Sequence, residues 1–181
     1  MKIDPLTMTK ILAIPGSLRH NSSSNLILNE LSSFVPSSVT IEVYQGVGSL
    51  PHFNDAEQVP ASVADFRNRV READAVLICT PEYAFGIPGS LKNALDWTVS
   101  SGEFYNKAVG LITASSQGEK GHAAMMLVLT AIGAGIIEDA SMVISFVRSK
   151  LDSTGKIKDE ALSNSLRKAV QNLALAAQKE N

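Results

Sequence analysis

AVLICT, residues 75–80, is an unbroken apolar run closed by a threonine, and the turn-rich segment PEYAFGIPG, residues 81–89, follows it directly. A run of this length without polar alternation reads as a strand buried on both faces. Such strands belong to parallel sheets covered by helices, so the neighbours on either side should be helical. They are. Upstream, Val63, Phe66, Val70 and Ala73 recur at three and four residues. Downstream, a short helix is expected from Ser90 to Thr98.

The same alternation extends to both ends of the chain. Met1–Thr9 is an irregular lead-in. Lys10–Ile14 is a short apolar strand ended by Pro15-Gly16, and Leu28, Leu31 and Val35 form a helical stripe that stops near Pro36. Thr40–Tyr44 is a β-branched strand, and Gln45–Pro60 is a loop. Ala108–Ala114 and Ser141–Val147 are further strands, separated by a polar loop and a helix over His122–Ala134. A last helix over Lys158–Gln178 carries Leu162, Leu166, Val170 and Leu173 on one face. Five strands alternating with helices define an α/β chain with one doubly wound parallel sheet and a single domain over residues 1–181.

Composition narrows the function. The chain has 181 residues, 45% hydrophobic and 19% charged, with a net charge of -2. No basic stripe speaks for nucleic acid, and no apolar run reaches the roughly 18 residues of a membrane span. The one cysteine, Cys79, cannot form an intramolecular disulfide, and with no secretory leader the expected location is cytoplasmic. The three histidines, His20, His52 and His122, are scattered, so no metal site is expected. Cys79 reads as a small core residue, and His122 as a helix-start residue facing solvent. No nucleophile elbow, paired-acid spacing or other catalytic constellation stands out, so the catalytic residues stay unknown.

In an open parallel sheet, ligands bind beyond the carboxyl ends of the strands. Three loops lie there: GSLRHNSSSN (16–25), PEYAFGIPG (81–89) and SSQGEKG (115–121). The first joins a glycine, serines and Arg19 to the start of a helix and contains no acid. That chemistry suits a phosphate, held by helix N–H groups, hydroxyls and a guanidinium. It is neither a P-loop nor a G-x-G-x-x-G turn. A serine-rich loop without lysine fits a terminal phosphate monoester, with flavin mononucleotide (FMN) the obvious candidate. Tyr83 and Phe85 of the second loop offer walls for a flat ring. Lys92, Asn93 and Asp96 read as residues that tie loops together, and Trp97 as core.

GSLR followed by Ser and Asn, then PEY-x-x-G-x-PG-x-LKNA-x-DW, resembles the NADPH-dependent FMN reductase family. LPHFN (50–54) and SSQGEKGHAAMMLVLTAIGA (115–134) resemble two further family segments. The resemblance spans about residues 10–145. It implies a flavodoxin-like three-layer sandwich with a five-stranded parallel sheet in the order 2-1-3-4-5. It implies FMN as cofactor and NADPH or NADH as co-substrate, with hydride passed on to a quinone, flavin, azo or metal-oxyanion acceptor. Ser17, Arg19, Asn25 and either Ser22 or Ser24 would hold the phosphate; Ser24 keeps its place beside Asn25. Pro81, Glu82, Tyr83, Ala84 and Gly86 would line the ring, and Ser115, Gln117 and Gly118 would approach it from the third loop. The family has PEYN where this chain has Ala84, which removes an amide from beside the ring. The helix over 123–134 is apolar around most of its circumference, which points to a homodimer or tetramer. A flavin-bearing electron carrier and a flavin-free regulatory relative are the competing readings. The weak net charge speaks against the carrier, and Ala84 is the one feature that favours the regulator.

Overall fold

The computed structural model describes residues 8–54 and 58–180. The lead-in up to residue 7, and residues 55–57 of the long loop, lie outside them. Strands β1 (Thr9–Pro15), β2 (Val39–Val43), β3 (Ala75–Thr80) and β4 (Ala108–Ala114) pair in parallel in the order β2-β1-β3-β4. The fifth position is split. β5 (Gly135–Ile136) pairs with the start of β4 at Ala108 and Val109, and β6 (Met142–Ile144) pairs with its end at Ile112–Ala114. Between them a 3-10 turn over Glu138–Ala140 interrupts the edge. The expected fifth strand, Ser141–Val147, is therefore three residues long and stops at Ile144.

Helices α1 (Ser23–Leu31), α2 (Ala61–Glu72), α3 (Gly89–Asp96), α4 (Glu119–Ala131) and α5 (Glu160–Glu180) fill the connections. The period of two along each strand distributes them. On β1, Ile11 and Ala13 pack with Ile27, Leu28 and Leu31 of α1 and with Leu166, Val170 and Leu173 of α5. Leu12 and Ile14 face the opposite way, onto Phe66 and Val70 of α2, Leu91 of α3 and Met125 and Leu129 of α4. Two apolar layers thus sandwich the sheet, in the flavodoxin-like three-layer arrangement. All six residues of β3 and all seven of β4 are buried, which is why their sequences show no polar alternation.

The register sets the carboxyl edge. Pro15 pairs with Cys79, Thr80 with Thr113, and Ala114 with Ile144. The segments after residues 15, 80, 114 and 144 therefore leave the sheet side by side. β1 has β2 on one side and β3 on the other, so the switch point lies between β1 and β3.

Candidate flavin site

α1 has no acid in its first turn. Ser22 is its N-cap, its hydroxyl accepting from the Asn25 N–H at 3.2 Å. The N–H groups of Ser23 and Ser24 have no acceptor among the described residues. They carry the positive end of the helix dipole. Ser24 is buried, with its hydroxyl beside the Cys79 thiol. Burial of that thiol pushes its pKa up to about 12, so Cys79 is an inert core residue. The loop serine that lines the open cavity is Ser23. Asn25 donates its amide to the carbonyls of Arg19 (2.8 Å) and His20 (3.3 Å), fixing the loop from within. Ser17 is buried, 3.3 Å from the Tyr83 hydroxyl, and ties the first loop to the second. The Arg19 side chain is exposed and unpaired among the described residues.

In the second loop, Tyr83 and Gly86 exchange both backbone hydrogen bonds, at 3.0 and 2.9 Å. The two residues between them, Ala84 and Phe85, have φ of +49° and +62°. This is a two-residue hairpin turn of the kind that asparagine and glycine favour. α4 holds it down. Glu82 Oε2 accepts the Gly121 N–H at 2.7 Å, supplying the cap that Gly118 lacks, and the Lys120 ammonium sits 3.9 Å from the Phe85 ring centroid. Non-glycine residues at positive φ cost roughly 1–2 kcal/mol each. Ala84→Asn is accordingly expected to stabilise the fold by about 1 kcal/mol, since an asparagine side chain tolerates this conformation. A urea midpoint equal to or below that of the parent chain would count against the strain.

A cavity of about 560 Å³ opens over this edge, within the usual size range of ligand sites. Arg19 and Ser23 stand with Pro81, Glu82 and Tyr83, and with Ser115 and Ser116. Ser22, Ser24, Asn25, Ser17, Ala84, Gly86, Gln117 and Gly118 do not line it; they brace the loops that do. The fourth wall, Phe146, Val147, Arg148 and Ser149, is absent from the sequence-based set. The signal was present, because VRSK follows a strand and carries two cations.

His122 was expected to face solvent. It is half-buried, its Nδ1 2.9 Å from the Thr113 hydroxyl. Burial holds its pKa below the ordinary 6.5. The unfolded chain takes up this proton near 6.5 while the folded chain stays neutral. The His122 contribution to stability is therefore full above that pH and is lost as pH falls toward the lower folded value. Urea midpoints measured from about pH 7 down to about pH 5 should fall, and His122→Gln should flatten that decline. Equal slopes in the two proteins would remove His122 as the cause.

Asn93 of α3 accepts the Phe53 N–H at 2.8 Å and donates to the Pro51 carbonyl at 3.0 Å. The Trp97 indole N–H donates to the same carbonyl at 2.8 Å. Lys92 and Asp96 pair along the helix. The LKNALDW segment thus anchors the 50–54 loop, as the loop-tying reading of these residues requires.

A doubly wound parallel sheet with an open cavity at the carboxyl ends of its strands is the flavodoxin-like arrangement. The model of the NADPH-dependent FMN reductase family matches residues 9–148, and the chain belongs to that family. It is 31% identical over 175 residues to an NAD(P)H-dependent FMN reductase of Pseudomonas aeruginosa, covering 92% of this chain and 94% of that one. It is 29% identical over 162 residues to a quinone reductase of Escherichia coli, covering 83% and 86%. Among solved structures it resembles the flavoenzyme NAD(P)H:(acceptor) oxidoreductase of Paracoccus denitrificans with a TM-score of 0.81. That match is at 24% identity, covers 95% of this chain and 98% of that one, and speaks to the fold. The family is one of oxidoreductases, with FMN as cofactor and NAD(P)H as reductant. No helix among the described residues is long and apolar enough to cross a membrane.

Proposed function

We propose that the chain, acting as one FMN-binding domain over residues 1–181, reduces quinones and related flat or oxidising small molecules at the expense of NAD(P)H. Free flavins, azo compounds and metal oxyanions are within the same class of acceptor. The observation that carries this reading is the pairing of opposite chemistries in one cavity. An unpaired guanidinium and the free N–H groups of α1 stand at one end, and the Pro81–Tyr83 loop stands as a wall.

The donor set fits FMN. Arg19 and the N–H and hydroxyl of Ser23 would hold the phosphate, with Ser22, Ser24, Asn25 and Ser17 keeping that loop in shape. Pro81, Glu82, Tyr83 and Ser115 would border the ring, and Ala84, Gly86, Gln117 and Gly118 would set the turns that present them. Bound FMN would supply the two-electron chemistry that couples a nicotinamide to an acceptor. The protein's part is position and electrostatics. The Glu82 carboxylate is already committed to the Gly121 N–H and the Cys79 thiol is sealed in the core, so neither competes as a reactive group.

A homo-oligomer fits the outer face of α4, where Ala123, Leu127 and Ala131 are exposed and Leu127 is 73% accessible. A reducing, cytoplasmic setting fits the lone cysteine.

The test is spectroscopic. The purified chain supplied with FMN should retain a yellow chromophore that NADPH bleaches without air and a quinone restores. A protein that binds FMN but is not bleached is an electron carrier. One that takes up no FMN is the flavin-free regulator.

A further inference from the structure

A second recess, of about 360 Å³, adjoins the first cavity. Arg19, Ser23 and Arg148 line both. Beyond them the recess is closed by Asn21, Ser153 and Thr154. Among the described residues neither guanidinium has an ion-pair or hydrogen-bond partner.

The one acid on the recess wall does not neutralise them. The Asp152 carboxylate accepts from the Thr154 N–H (2.8 Å), the Thr154 hydroxyl (2.7 Å) and the Lys156 N–H (3.0 Å). It is engaged in holding its own turn. That turn is also pinned to α1, because Glu30 accepts the Ile157 N–H at 2.7 Å. The recess is therefore a built wall of the fold.

A phosphate monoester at the end of a flavin can be held by one guanidinium together with helix N–H groups. Two unpaired guanidiniums on the shared wall of two adjoining cavities match a diphosphate with a bulky group on each side. The hydroxyls of Ser153 and Thr154 and the amide of Asn21 are suited to ribose hydroxyls and the polar edge of a base. We propose that this is a dinucleotide site. It would take FAD as well as FMN, with the diphosphate crossing Arg19 and Arg148 and the adenosine half in the second recess.

The inference rests on the flavin reading of the first cavity. An adenosine diphosphate group could also reach the recess as part of NAD(P)H, so the test separates the two sources. Full-length protein freed of flavin is titrated with FMN and with FAD by flavin fluorescence. FMN-loaded protein is titrated with NADP+ by calorimetry. FAD should bind within about tenfold of FMN and compete with it. Ser153→Trp, which fills the recess alone, should weaken FAD by about tenfold or more and leave FMN within about twofold. Ser153→Ala, which removes one hydroxyl and fills nothing, should weaken FAD by only about two- to fivefold and leave FMN unchanged. Near-UV circular dichroism of each variant, matched to the parent, checks that the turn is intact.

Protein that binds FMN but not FAD overturns the dinucleotide site and leaves the flavin site standing. Protein that binds neither overturns both. Ser153→Trp that weakens FAD no more than FMN shows the recess is not used. Uptake of NADP+ by the FMN-loaded protein that Ser153→Trp abolishes assigns the recess to the co-substrate and overturns the proposal.

Discussion

Arg19→Ala should weaken FMN binding by about 10- to 100-fold, because a hydrogen bond to a charged group contributes roughly 1.5–3 kcal/mol. The guanidinium is exposed, unpaired among the described residues and adjacent to a helix start without acids, so nothing screens it except solvent and salt. Its loss removes charge from the phosphate end of the cavity and leaves the ring end alone. The variant should therefore show a flatter dependence of affinity on ionic strength than the parent. Arg19→Lys should recover part of the loss, since an ammonium keeps the charge but not the two-pronged donor geometry. Arg148 lines the same cavity, so the Arg19→Ala, Arg148→Ala pair should be non-additive if both contact one phosphate. Titration of flavin-free protein with FMN at two salt concentrations measures all of this. Unchanged affinity in Arg19→Ala would place the phosphate elsewhere.

Most of the fold was legible because β3 and β4 are buried on both faces and carry that burial as continuous apolar sequence. The split fifth position was not. MVI and the residues after it, SFV, continue a strand-like apolar pattern, but the chain leaves the sheet at Ile144. Phe146 takes φ +52°, and the N–H groups of Phe146 and Val147 turn to the carbonyls of Ser116 and Ser115. Pattern alone does not show that these residues bond to a loop instead of a strand. That is how Arg148 escaped the sequence-based set.

The position of the serine run at the end of β1 was legible, but which serine faces the cavity was not. Successive side chains on a helix point about 100° apart, so among Ser22, Ser23 and Ser24 the cavity-facing one depends on where the helix begins. Ser22 caps, Ser24 turns to Cys79, and Ser23 is left at the cavity. Asn93 was legible as a loop tie, because polar groups in the first turns of a helix reach the neighbouring loop, and Trp97 as core from its helical position.

Gly16→Ala is expected to destabilise the fold by about 3 kcal/mol, the upper end of what overpacking costs. A Cβ at this position would lie 2.5 Å from the Thr80 Cβ and 2.9 Å from the Thr80 Cα. Neither side can move cheaply. The Gly16 N–H donates to the Cys79 carbonyl at 2.8 Å, and Pro15 is in register with Cys79. The glycine is thus required by close approach at the point where the two central strands end, and its φ plays no part. A methyl there would wedge β1 from β3 and splay the two loops that Ser17 and Tyr83 hold together. Stability and flavin affinity should fall together. Thr80→Gly, which removes the Cβ and hydroxyl that the new methyl meets, should restore part of the stability of Gly16→Ala while being destabilising alone. The double-mutant cycle would then show a coupling of opposite sign to the single effects. Urea unfolding of the four proteins checks it: a Gly16→Ala midpoint equal to that of the parent would mean the strands separate freely, and the switch point would then be too loose to set the cavity.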